Sequence, residues 1–225
     1  MTTLTVRRFD ARADLDAALA ERLGAALAAR GASAVMLSGG TTPLAAYRAL
    51  AARAPRRDDR LHLLFSDDRY VPTDSPTSNF HQSGPLLEVL ALPPESLLRV
   101  RTELPLADAA ADYERRLSAL LSSGVHIGLG LLGLGADGHT ASLFAPADLE
   151  RARGHYAIAV NRPDGLQAVS VTPELLATVR EVLFVVTGTG KEVATARLIA
   201  RDPQLTAWRA VQGCPVATLW LHEGT

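Results

Sequence analysis

The sequence predicts an α/β protein built on a doubly wound, mostly parallel sheet with helices on both faces. Two observations carry that expectation. Short apolar runs of strand length alternate with helix-period segments almost from end to end, and Gly- or hydroxyl-rich segments follow several of the strand runs. A third observation, the absence of any long Pro-rich or Ser/Gly-rich linker, predicts a single domain over residues 1–225.

In chain order, Leu4 to Phe9 reads as a strand. Leu15, Leu19, Leu23 and Leu27 then recur at a four-residue spacing that keeps them on one helix face, with Gly31 as the stop. Ala34 to Leu37 is a short buried strand, and Pro43 suits the first turn of the helix after it, where its missing N–H costs nothing. Leu61 to Phe65 is a strand, followed by a polar loop through Asn79 and a helix near Leu86 to Leu90. Ala107 to Leu121 is helical and Ile127 to Leu132 a strand, with two further short strands at Tyr156 to Val160 and Ala168 to Val171. Val182 to Val186 is a buried strand, Lys191 to Ala200 a helix, and Val216 to Leu221 the last strand.

Charge narrows the function. Twenty-three Lys and Arg face 24 Asp and Glu, a formal net charge of −1 without single-sign blocks. That balance speaks against a nucleic-acid partner and directs attention to a small anion held at a local site. Cys214 is the only cysteine, so neither an intrachain disulfide nor a multi-cysteine metal site can form. The opening MTTLTVRRFDARAD has no apolar stretch behind its basic residues, and the Gly-rich run from Ile127 to Ala136 is too short to span a bilayer. The expectation is a cytosolic protein without a membrane partner.

In a doubly wound sheet, ligands bind outside the carboxyl ends of the strands, so the loops that follow strands are the place to look. Ser38-Gly39-Gly40-Thr41-Thr42-Pro43 offers backbone N–H groups, hydroxyls and a helix N-terminus, all favourable to an anion; a plain tight turn is the alternative. Ser66-Asp67-Asp68-Arg69 sets two carboxylates beside a cation, fit to orient hydroxyls and a phosphate or simply to face solvent. The polar loop after it carries Asn79 and has the length of a segment that covers a site.

Gly133-Leu134-Gly135-Ala136-Asp137-Gly138-His139-Thr140 contains the G-x-G-x-x-G string of dinucleotide-binding turns. Asp137 would oppose a pyrophosphate there, and Asn161 and Arg162 stand where the ribose-binding acid belongs, which leaves only an NADP variant of that reading. As catalytic apparatus the loop is more informative. His139 lies in a Gly-rich strand-end turn two residues after a carboxylate, and histidine is the side chain suited to taking a proton from water near neutral pH. His62, His81, His126, His155 and His222 have no such setting. Thr187-Gly188-Thr189-Gly190-Lys191 resembles a P-loop but has Val185 in place of the first Gly and Glu192 in place of the magnesium-binding hydroxyl. A cation with backbone donors at a helix start remains, enough for a monophosphate, unless Lys191 is simply solvated.

SGGTTP, SDDRYVP with the later SNF, GLGADGHTASLF and GTGK occur in that order from Ser38 to Lys191, and WLHEG follows near the end of the sequence. Together they resemble the glucosamine-6-phosphate isomerase/6-phosphogluconolactonase family, on its lactonase side. The resemblance implies hydrolysis of 6-phosphoglucono-1,5-lactone to 6-phosphogluconate in the oxidative pentose phosphate pathway, with no cofactor or metal. The partner it implies is a small phosphorylated sugar lactone, bound to a monomer or small homo-oligomer. It implies His139 as base, with Asp137 orienting it or the substrate, and Asp67 beside them. Backbone N–H groups of the Gly133–Gly138 turn would hold the oxyanion, and the phosphate would lie among Gly39, Gly40, Thr41, Thr42, Arg69, Asn79 and Lys191.

Two departures from the family pattern stand out. Asp68 replaces a Glu, and Ala168 stands where the family's R-x-T-x-T-P strand begins with Arg, which makes Arg162, or Gln167, the candidate substitute. A glucosamine-6-phosphate deaminase-like isomerase would carry a Glu five residues after the His; Phe144 is there instead. A non-catalytic sugar-phosphate sensor would not need His139, and the segment before Leu37 is too short for a helix-turn-helix.

Overall fold

A computed structural model describes residues 2–222 and residue 224 of the 225-residue chain. The elements run β1 (Thr3–Arg8), α1 (Arg12–Leu27), β2 (Ser33–Leu37), α2 (Thr41–Ala52), β3 (Leu61–Phe65), β4 (Asp67–Arg69), α3 (Asn79–Gln82), α4 (Gly84–Leu90) and β5 (Leu97–Leu98). They continue α5 (Leu106–Ser122), β6 (His126–Leu132), α6 (Pro146–Arg151), β7 (Ala157–Asn161), β8 (Gln167–Val171), α7 (Pro173–Leu176), β9 (Glu181–Thr187), α8 (Glu192–Ile199), α9 (Thr206–Val211) and β10 (Val216–His222). Seven strands form the main sheet in the order β1-β10-β9-β6-β2-β3-β5, and every neighbouring pair is parallel.

The alternation of side chains along each strand divides the core between the two faces. In β9, Val182, Phe184 and Val186 pack on the face covered by α5, while Leu183 and Val185 point to the face covered by α1 and α2. β2 divides the same way, Ala34 and Met36 against Val35 and Leu37. The four leucines of α1 named from their spacing are all fully buried. Among the described residues no helix is long and apolar enough to cross a membrane.

Three sequence expectations need correcting. β7 and β8 do not extend the main sheet; with β4 they form a separate antiparallel sheet in the order β4-β8-β7. The Asp67–Arg69 segment, expected as loop, is a strand of that sheet, because its carboxylates turn inward to hydrogen-bond donors rather than out to water. α1 ends at Leu27 rather than at Gly31, which instead takes the following turn at a φ of 107°. Of the closing WLHEG, Trp220 to His222 belong to β10 and Glu223 lies outside the described residues.

Candidate active site

The winding of the main sheet reverses between β2 and β6: from β2 the chain builds outward through β3 and β5, and from β6 outward through β9 and β10. At such a switch point the loops diverge above and below the sheet and leave a crevice at the carboxyl edge. A cavity of about 240 Å³ opens there. All four loops singled out from the sequence contribute to it, through Gly39, Gly40, Thr41 and Thr42 after β2, Asp67 and Arg69 after β3, His139 after β6 and Lys191 after β9. Asn79 and Arg162 complete the wall. Asp137 is not part of the wall and reaches the site through His139.

The His139 loop is held by its own backbone. Gly135 N–H donates to the His139 carbonyl at 2.9 Å, Gly138 N–H to the Gly135 carbonyl at 3.0 Å, and Thr140 Oγ1 to the Gly133 carbonyl at 2.8 Å. These bonds narrow one expectation, since the Gly135 and Gly138 N–H groups are occupied inside the turn and leave only its other N–H groups as oxyanion donors. The turn also opens no helix. Thr140 and Leu143 form an isolated bridge and the next helix starts only at Pro146, so the helix that a dinucleotide fingerprint requires is absent from this position.

Asp137 Oδ1 lies 2.6 Å from His139 Nδ1 and accepts the His139 backbone N–H at 3.2 Å. Partial burial raises the Asp137 carboxyl, but the bonds from the His139 side chain and backbone outweigh it and hold the group below the usual carboxylate range. A carboxylate at Nδ1 fixes that nitrogen as the protonated one, leaving Nε2 to accept a proton. On its other side the imidazole packs on the Phe144 ring, with centroids 4.4 Å apart. Phe144 in turn lies under the Arg162 guanidinium, 5.2 Å from it.

Asp67 is buried and accepts from Ser66 Oγ at 2.9 Å, Ser142 Oγ at 2.7 Å and Asn79 Nδ2 at 3.3 Å. Ser142 Oγ accepts from Arg162 Nη1 at 3.2 Å, which links Arg162 to Asp67 through one hydroxyl. Ala141, at a φ of 49°, makes the left-handed turn between His139 and this serine. Asp68 holds the start of α3: it accepts from Asn79 N–H at 2.7 Å, Phe80 N–H at 3.1 Å and Ser78 Oγ at 3.2 Å. Burial pushes its carboxyl up to about 6 against those donors.

The cations of the wall are not equivalent. Arg69 donates to Asn79 Oδ1 and to the Thr77 carbonyl, and Arg162 pairs with Asp164 at 2.8 Å. Lys191 is the N-cap residue of α8, and burial lowers its ammonium below the usual lysine range. The Lys191 carbonyl accepts from Thr195 N–H at 2.8 Å, but among the described residues its ammonium has no hydrogen-bonded or ion-paired partner, so an arriving anion would meet it uncompensated. Gly40 departs from expectation, because its N–H already donates to Gln82 Oε1 at 3.0 Å. Ala168 sits in register with Arg69, so an Arg there would lie directly beside a second guanidinium; Arg162 reaches the same cavity from the neighbouring strand end, whereas Gln167 turns to Asn161. Ser142 and Gln82 escape notice in the sequence, and Phe144 stands out there only as the residue in place of the isomerase glutamate. Ser142 and Phe144 lie within the DGHTASLF string, three and five residues past the histidine, and that proximity was the available signal. Among the described residues no group of three or more His, Cys, Asp or Glu is placed to hold a metal ion.

What the sheet and cavity define is a switch-point crevice of the enzyme type, whose wall brings a carboxylate-paired histidine together with Arg69, Arg162 and Lys191. The chain belongs to the family described as glucosamine-6-phosphate isomerases/6-phosphogluconolactonase, whose model matches residues 8–221. It is 35% identical over 207 residues to a 6-phosphogluconolactonase of Synechocystis sp., covering 85% of this chain and 82% of that one. Identity to a 6-phosphogluconolactonase of Treponema pallidum is 38% over 184 residues, 76% of each chain. The crystal structure of 6-phosphogluconolactonase from Thermotoga maritima superposes with a TM-score of 0.79 at 28% identity, covering 100% of both chains. A monomeric glucosamine-6-phosphate deaminase shares the fold alone, with a TM-score of 0.81 at 15% identity.

Proposed function

We propose that this protein hydrolyses 6-phospho-D-glucono-1,5-lactone to 6-phosphogluconate, as a cytosolic enzyme of the oxidative pentose phosphate pathway. The observation that carries the reading is the His139–Asp137 pair at a cavity whose wall also holds Lys191, its ammonium without a partner among the described residues. The lactone needs a base at one end and an anion handle at the other, and these two features supply them.

The 6-phosphate lies against Lys191 and the Gly39–Thr42 turn, with Arg69 and Arg162 adding charge. His139 Nε2 takes a proton from water as the oxygen of that water adds to the lactone carbonyl carbon. The resulting oxyanion collapses, the bond from that carbon to the ring oxygen breaks, and the proton returns from His139 to the departing oxygen. Asp137 keeps the imidazole in the receiving tautomer and stabilises its charged form. Asp67 acts through Ser142, holding Arg162 over the site. The isomerase reading lacks its carboxylate here: the position it needs is filled by Phe144, packed on the imidazole. The test is acid release from the phosphorylated lactone, measured by pH-stat against its spontaneous opening. No release above that background would end this reading.

A further inference from the structure

The two halves of the anion site grow from strands that do not touch. In the main sheet β6 stands between β2, which leads to Gly39–Thr42, and β9, which leads to Lys191. Each of the two is laddered to β6, up to Met36 and Phe184, and beyond those pairs no backbone ladder ties the two phosphate-facing loops to each other. A side chain from elsewhere does. Arg12, the first residue of α1, donates from Nη2 to the Thr42 carbonyl at 2.9 Å and from Nη1 to Thr187 Oγ1 at 3.1 Å. The two threonine hydroxyls lie 3.2 Å apart and close the ring. The third nitrogen, Nε, is held by both Asp16 oxygens, at 2.9 and 3.0 Å.

We infer that Arg12 is a positioning residue that sets the width of the phosphate subsite by clamping the β2 and β9 loops to each other. This rests on the lactonase reading of the same site. Arg12 is absent from the cavity wall, whereas Thr42 belongs to it. Its charge is balanced by Asp16, so it acts through geometry rather than as a direct ligand of the phosphate. The planar guanidinium fork is well shaped for such a clamp, since three nitrogens in fixed directions hold one carboxylate, one carbonyl and one hydroxyl together. A lysine ammonium on its flexible stem would keep the pair with Asp16 without fixing the two loops.

Such a role affects one part of the substrate only. Arg12→Ala is expected to raise KM for the phosphorylated lactone about tenfold, the size of one lost positioning contact, with kcat nearly unchanged. For unphosphorylated gluconolactone kcat/KM should stay at the unmodified level. Arg12→Lys should not restore KM. Thr187→Val removes one jaw while leaving the Arg12–Asp16 pair and the start of α1 intact, so it should reproduce the same split even if Arg12→Ala fails to fold. Calorimetric titration with inorganic phosphate reads the subsite without turnover and should show the same weakening in both variants. The inference is overturned if Thr187→Val and Arg12→Lys bind phosphate and the phosphorylated lactone as the unmodified chain does. It is equally overturned if both lactones lose activity in proportion, the mark of a general structural role. An unmodified chain that binds phosphate but hydrolyses neither lactone would refute the lactonase reading and leave the clamp to be judged on phosphate affinity.

Discussion

Gly135→Ala should disable the base while leaving the phosphate handle in place. Gly135 is not among the positive-φ residues, so its backbone conformation is open to alanine. Its missing side chain is what matters: a Cβ there would overlap His139 Nδ1 and lie 2.5 Å from Asp137 Oδ1. Ordinary contacts between such atoms need nearly an ångström more, so either the imidazole or the carboxylate must move and their 2.6 Å bond must break. A charge-assisted hydrogen bond of this kind contributes ~1.5–3 kcal/mol. If that stabilisation belongs to the imidazolium formed in the transition state, kcat falls by about 10- to 100-fold. KM should change little, because Lys191 and the Gly39–Thr42 turn lie on other loops. Steady-state hydrolysis of the phosphorylated lactone near pH 7, corrected for spontaneous opening, is the assay. Asp137→Asn should show a loss of similar size, and the double variant little more than either, since both act through one bond. A Gly135→Ala enzyme with kcat within about threefold of normal would refute the claim that this hydrogen bond orients the base.

Lys191→Ala should raise KM for the phosphorylated lactone by about tenfold or more, the value of one lost charge-assisted contact, with kcat little affected; an unchanged KM would remove Lys191 from the phosphate site. Arg162→Ala should raise KM more modestly, because Arg162 is already paired with Asp164, and an unaffected KM would reject it as the substitute for the family arginine missing at Ala168. Asp68 predicts a pH effect on stability. It holds its proton more tightly in the fold, at about 6, than at its ordinary value of 3.8. Folding therefore takes up a proton between those values, and stability falls by up to ~3 kcal/mol as pH rises through that window. Denaturant titrations across that range should show this decline in the unmodified protein and lose it in Asp68→Asn; the same slope in both would contradict the assignment.

The long elements were legible in the sequence because their apolar residues are dense and periodic. β3 runs from Leu61 to Phe65 as expected, and β2, β6, β9 and β10 lie within a residue of their expected ends. The elements that escaped notice are short and polar. β4 is three residues of Asp-Asp-Arg, and its carboxylates resemble a solvated loop until Asn79, Phe80 and Ser142 arrive from later in the chain to bond them. α3, α6, α7 and α9 are four to six residues long, too short for a helical period to register. The site residues divide likewise. His139, Lys191 and Gly39 announce themselves by residue type and by position after a strand. Arg12 and Ser142 matter only through partners far along the chain, and no local pattern reveals such pairings.

The most direct test of the account compares the unmodified enzyme with His139→Ala on the phosphorylated lactone, with folding and phosphate affinity checked in both. Hydrolysis well above the spontaneous rate is expected in the first. In the second kcat should fall about a hundredfold or more, the usual contribution of a positioned acid–base group, while phosphate affinity is retained. A correctly folded His139→Ala protein that still hydrolyses the lactone at a near-normal rate would contradict it.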